Sequence, residues 1–292
     1  LSVAFSPDGK TLVAGDWYGN ILWWNSDGTL INTTSEHRNA VGNLIFSPNG
    51  QTLASGSWDN TIKLWNLDGT VIRTLDGHPS GTLAIAFSAD GQRLVSGGED
   101  DLVRIWQLSA NFLTVLRGHR ASVWSVKLSP DGKTAISSSS DGTIKRWNTN
   151  GQIWQTLPSS HGEVWTVDSS PDGQTIVAAN DDGSLTLWNR DGKLMRTVNA
   201  HSKTAFDVTF SPTGAEIASV GWDGTIKLWH QDGRLIQSLE KSRQSKDRLS
   251  DRLNAVAFSP DNQWLATVGQ DEIIRLWHRN ASGQFTPQPQ LK

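Results

Sequence analysis

Histidine, serine and aspartate are the side chains of a nucleophilic triad, and this 292-residue chain repeats them at fixed offsets. The sets are His37, Ser55, Asp59 and Trp65; His78, Ser96, Asp100 and Trp106; His119, Ser137, Asp141 and Trp147; and His201, Ser219, Asp223 and Trp229. A hydrolase needs one such constellation beside an oxyanion hole, whereas here it occurs four times. Repetition points to architecture. Each set reads as a buried polar chain: the indole N–H donates to serine, serine meets histidine, and the aspartate of the next turn fixes the imidazole.

Three further segments carry decayed versions. Ala14 and Tyr18 replace serine and aspartate in the first, Ala178 stands in the fifth with His161 displaced by one residue, and the seventh has Thr267 and Asp271 but no histidine. Those units are expected to be weaker, with the softest place where the first and last meet. A basic residue two before the closing Trp recurs as Lys63, Arg104, Lys145, Lys227 and Arg275, and reads as a packed stem with its charge paired to a turn carboxylate. Other chemistry has no carrier. The chain has no Cys, which excludes disulfides, thiol nucleophiles and Cys-ligated metals. Phosphate-loop, zinc-protease, nucleophile-elbow and EF-hand patterns are absent from the sequence, so no cofactor is expected.

The elements that hold these residues follow from their period. Closing tryptophans fall at Trp24, Trp65, Trp106, Trp147, Trp188, Trp229 and Trp277, spaced by 41 residues five times and 48 once. A turn landmark keeps the same step, from Phe5-Ser6-Pro7-Asp8-Gly9 to Phe258-Ser259-Pro260-Asp261-Asn262. Each unit reads as four strands of about five residues, rich in β-branched and aromatic types and separated by Pro, Gly, Asn and Asp. No helical period is sustained. Four strands repeated in this way predict an all-β fold, a seven-bladed β-propeller filling a single domain over 1–292. Its blades span about 1–34, 40–75, 81–116, 122–157, 163–198, 204–239 and 252–292. The first blade begins inside its inner strand, which suggests a monomeric domain excised from a larger chain, with Gly283 to Gln288 closing the seventh blade.

Gly77-His78, Gly118-His119, Trp58-Asp59, Trp222-Asp223 and the closing tryptophans make all seven units resemble WD40 repeats. The style is similar to bacterial WD-repeat regions of larger signalling proteins. The resemblance implies that the Gly-His loops and the turns before the third strands emerge on one face, the top, around a central channel. Residues preceding the turn aspartate include Trp17, Trp58, Glu99 and Trp222, and inner-strand positions include Leu83, Trp124, Trp165, Phe206 and Asn254. Six aromatics, Trp17, Trp58, Trp124, Trp165, Phe206 and Trp222, are therefore expected on one rim, with Glu99 and Asp101 forming an acidic gap in the third unit. The repeat does not require them, and such aromatics are the usual anchors of a binding surface. Trp23, Trp154 and Trp264 are expected to pack within strands. An insertion over 240–252, rich in Lys and Arg, joins units six and seven beside the rim as a candidate basic flap.

Charge and hydropathy narrow the partners. With 26 Lys and Arg against 29 Asp and Glu, the net charge of −3 gives no basic face for nucleic acid, and apolar runs are too short to span a membrane. A cytoplasmic location is expected. The favoured function is a non-catalytic scaffold or sensor that binds a protein or peptide on the top face. A small ligand or glycan stacked on the Trp rim is the alternative, and an enzyme with its site in the channel is a third reading.

Overall fold

The computed structural model describes residues 2–25, 27–110, 112–129, 131–240 and 251–288. Its strands form seven four-stranded antiparallel sheets, each made of four strands consecutive in sequence. Unit two is representative: Val41–Phe46 pairs with Leu53–Ser57, which pairs with Thr61–Trp65, which pairs with Val71–Asp76. Inner strands touch their neighbours around a ring, and Ser2–Phe5 meets Leu253–Phe258 to close it. The seventh sheet ends on its own strand Phe285–Pro287, while Ser2–Phe5 belongs to the first sheet.

Turn chemistry explains the 41-residue landmark. Ser6 Oγ donates to Asp8 at 2.6 Å and accepts the Thr11 N–H at 2.9 Å. Ser129 with Asp131 and Ser170 with Asp172 repeat the pattern. The turn ends in a left-handed residue, Gly132 at φ 63° and Gly173 at φ 67°, which Gly adopts without a Cβ penalty. Asn262 takes that place in unit seven at φ 58°, as asparagine tolerates this region.

A single blade has two faces to cover, and its neighbours cover them. Among the described residues, apolar side chains sort into seven clusters, each shared by two adjacent blades. Trp65 and Trp147 are fully buried in two of them, and burying a side chain of that size contributes at least roughly 2 kcal/mol each. The cluster between blades seven and one is built largely of Ala and Val around Trp24, and a cavity of about 80 Å³ lies beside it, lined by Ala14, Trp17, Trp24, Val268 and Ile274.

One irregularity recurs. Pairing of the inner with the second strand skips Gly42, Leu83, Trp124, Trp165, Phe206 and Asn254. Each is the extra residue of a β-bulge, a device that redirects side chains at a sheet's end. The bulge sits at the top of the channel.

Candidate functional site: the aromatic channel mouth

The four polar sets converge as hydrogen-bonded chains. In unit two, Trp65 Nε1 donates to Ser55 Oγ at 2.8 Å, Ser55 Oγ lies 2.6 Å from His37 Nε2, and His37 Nδ1 lies 2.8 Å from Asp59. Trp106, Ser96, His78 and Asp100 repeat this, as do Trp147, Ser137, His119 and Asp141, and Trp229, Ser219, His201 and Asp223. Each serine is fully buried with its oxygen engaged by an indole and an imidazole, so no substrate carbonyl can approach it. Burial alone would raise the Asp59, Asp141 and Asp223 carboxyls. Hydrogen bonds from the histidine, the neighbouring threonine and backbone N–H groups outweigh it and hold them below the usual carboxylate range. His78 is shifted down by burial and by the Arg104 charge beside it.

The decayed sets are rebuilt differently. In unit five, Trp188 Nε1 is buried without a partner, since Ala178 offers no oxygen, and His161 pairs with Asp182 at 2.7 Å in a partly exposed position. Asn180 bridges Ser159, Ser184 and Thr186 instead. The signal in the sequence is the amide at 180, where units two and four have Ser57 and Ser139. In unit one Asp16 caps the turn through the N–H groups of Tyr18 and Asn20, leaving Tyr18 exposed. Trp277 donates to Thr267 at 3.2 Å in unit seven.

Two expectations need correcting. Arg104 and Arg275 do reach turn carboxylates, Asp100 at 2.6 Å and Asp271 at 2.5 Å. The lysines do not: Lys63 and Lys145 donate to the outer-strand hydroxyls of Thr74 and Thr156, and Lys227 donates to the Ala200 carbonyl. An ammonium lacks the forked guanidinium geometry that matches a carboxylate. Trp23 is buried and Trp264 meets His278, but Trp154 is 56% exposed on an outer strand, with the Arg146 guanidinium carbon 4.0 Å from its ring centroid. Alternation on an outer strand directs that side chain away from the blade interface.

The six aromatics line one cavity of about 680 Å³, the central channel. They form two groups. Trp124, Trp165, Phe206 and Trp222, from blades four to six, are in continuous ring contact with centroids 4.6, 5.1, 5.7 and 5.4 Å apart. Trp17 and Trp58 meet edge to face at 5.7 Å across blades one and two. Leu83 faces the cavity in blade three, whereas Glu99 is exposed outside its lining, beside Gly81. Trp124 donates to Ser140 at 2.7 Å and Trp165 to Asp181 at 3.3 Å, so turn residues orient both indoles. Arg252, the last residue of the insertion, lies with its guanidinium carbon 4.2 Å over Trp222. The insertion's other basic residues, Lys241, Arg243, Lys246 and Arg248, lie outside the described residues.

Below the aromatics the channel wall divides. Bulge geometry turns the next residue inward too, giving Ser125, Thr166 and Asp207 in blades four to six and Ser2, Asn43, Ala84 and Ala255 elsewhere. Two residues deeper come Lys127, Asp168 and Thr209, against Ala4, Ile45 and Ala257. Lys127 approaches Asp168 to 3.7 Å, and Asp168 also accepts the Phe210 N–H at 2.9 Å. Asp207 accepts N–H groups of Val208 and Val256, both at 2.9 Å, and burial raises its carboxyl above the usual range. Sequence reading missed this polar sector because a residue facing a channel looks like any alternating strand residue until the bulge is known.

With fold and site described, the class is plain: a WD-repeat β-propeller with an aromatic channel mouth. Residues 66–286 match the family described as IFT122 first beta-propeller, and residues 1–25 and 28–66 match the WD domain, G-beta repeat. The chain belongs to this family of WD40-repeat propellers. No individual curated protein matches it significantly. Among the described residues, no helix is long and apolar enough to cross a membrane.

Proposed function

We propose that this propeller is a non-catalytic interaction module that binds a protein or peptide on its top face, around the channel mouth. One observation carries the reading: six aromatics, none needed by the repeat, line a single cavity. Large aromatics at such a mouth are the side chains that dominate binding energy when desolvated by a partner. WD40 propellers commonly serve as protein-interaction scaffolds, in keeping with the family matched. Glu99 and Asp101 at blade three offer charge to a basic residue at the edge of the same partner, acting on encounter rather than on the anchor. The test is affinity capture with the domain and with Trp165→Ala/Trp222→Ala, each retained protein identified by mass spectrometry and then titrated as a purified partner. A small ligand or glycan remains the second reading, because about 680 Å³ is within the range of small-molecule sites. Binding of a purified glycan with no protein partner captured would favour it.

A further inference from the structure

We propose that blades four to six form a cation-binding wall in which Trp165, Phe206 and Trp222 hold the guanidinium side chain of a partner protein's arginine, Asp207 receives its charge, and Arg252 covers the Trp222 face in the free protein. The inference rests on the top-face reading above and specifies its anchor.

Three observations meet at one place. First, the largest aromatic group in the channel belongs to blades four to six, and its rings touch one another, so it presents one continuous π surface. The face of an indole attracts a cation, most strongly when water is excluded. Second, the protein's own guanidinium already rests on that surface, Arg252 at 4.2 Å from the Trp222 ring centroid. The surface is therefore shaped for a planar cation. Third, the carboxylates that line the channel, Asp168 and Asp207, come from the blades that carry these rings and not from the blades of Trp17 and Trp58. Asp207 follows Phe206 on the same bulge and lines the cavity.

The two carboxylates differ in what they have left to offer. Asp168 is paired with Lys127 and accepts from Thr209 and Phe210. Asp207 accepts one backbone N–H on each oxygen and feels the Lys127 charge only from a distance, with no cation within ion-pair distance of it among the described residues. Each carboxylate oxygen has a second lone pair, and the residue lines the channel. A charge held this way costs stability unless something compensates it, and an incoming guanidinium would do so with two donors in one plane. An ammonium would satisfy the charge but stack less well on the rings.

Arg252 supplies the exchange. Its backbone carbonyl is anchored by the Gln270 N–H at 3.0 Å, so only its side chain must move for a second guanidinium to take the ring face. A resident competitor lowers apparent affinity by the fraction of time it occupies the site.

The probe is N-acetyl-arginine amide, titrated against the whole chain by tryptophan fluorescence, with the neutral isostere N-acetyl-citrulline amide as control. Wild type is expected to bind the arginine compound and not the citrulline one. Asp207→Asn is expected to weaken binding roughly tenfold or more, Trp222→Ala about two- to fivefold or more, and Arg252→Ala to strengthen it several-fold. Melting curves accompany each variant, and Asp207→Asn and Trp222→Ala serve as independent checks should either be unstable. Equal binding of arginine and citrulline compounds, or unchanged binding in folded Asp207→Asn, overturns the proposal. Weaker binding in Arg252→Ala overturns the covering role. A purified partner that needs Trp165 and Trp222 but is indifferent to Asp207→Asn sinks this inference while leaving the top-face reading intact. Asp207-dependent binding of the arginine compound, joined to an affinity capture that retains no protein on the wild-type domain, overturns the partner's arginine as the source.

Discussion

Gly42 and Trp58 occupy one space between them: a β-carbon on Gly42 would stand 3.2 Å from Trp58 Nε1. Blade four exchanges the roles, with Trp124 rising from the inner strand and donating to Ser140 in the turn. The cover over each channel-mouth segment thus comes from either of two positions. Both are aromatic only in blade six, where Phe206 and Trp222 stack with an interplanar angle of 23°. Neither position belongs to the inter-blade clusters, so the rim is separable from the fold.

Replacing Trp165 and Trp222 together by Ala is therefore expected to abolish partner binding and preserve the seven-bladed fold. Each truncation of a true anchor costs roughly 2 kcal/mol or more of binding free energy. Calorimetric titration beside far-UV spectra checks it. A folded double variant with wild-type affinity would send the search to the opposite face or the blade sides.

Glu99 lies outside the cavity lining and is exposed. Charge reversal, Glu99→Lys, is expected to slow association and change its salt dependence while leaving dissociation nearly constant. Stopped-flow or surface-based kinetics at two ionic strengths separate the two rates. A change confined to dissociation would place Glu99 among the buried contacts.

The polar chains make a graded stability prediction. Asp59→Ala removes the partner of His37 and is expected to cost roughly 1 to 3 kcal/mol. Asp100→Ala is expected to cost more, about 3 to 5 kcal/mol, because it also strands the buried Arg104 guanidinium. Tyr18→Ala touches an exposed side chain and is expected to cost little. Denaturant titrations that gave equal losses for Asp100→Ala and Tyr18→Ala would argue against the network.

Acid is expected to weaken the fold in two steps. His78 is lowered from 6.5, so the unfolded chain takes up its proton first and stability falls as pH drops through 6.5 toward the folded value. Asp59, Asp141 and Asp223 are held below 3.8, so their contribution is complete above that value and lost as pH falls below it. Melting temperature followed from pH 8 to 3 reads both, and Asp141→Asn is expected to shrink the lower step. An unchanged slope below pH 4 in that variant would contradict the assignment.

Unit five offers a gain. Ala178→Ser puts an oxygen where Ser137 stands in unit four, within reach of the orphaned Trp188 Nε1. Satisfying that donor is expected to add about 1 kcal/mol, read as a rise in melting temperature. A loss would mean that the fully buried site has no room for the hydroxyl.

Most of the architecture was legible because it is local and repeated. Serine, aspartate and a left-handed Gly within one turn set the hairpins, and a Trp every 41 residues sets the blades. The polar sets could be aligned for the same reason, since His37 and Asp59 sit at offsets copied in three other units. The rim aromatics were legible as departures from the repeat, but not their grouping. Which rings touch depends on how neighbouring blades tilt around the channel, and Trp165 meets Trp222 although the two are 57 positions apart in the chain. The inward turn of Asp207 depends on a bulge that breaks two-residue alternation, and Arg252 reaches Trp222 only because the ring brings the end of the insertion back over blade six. Local spacing specifies a blade; contacts between blades, made by side chains far apart in the chain, decide what the channel mouth presents.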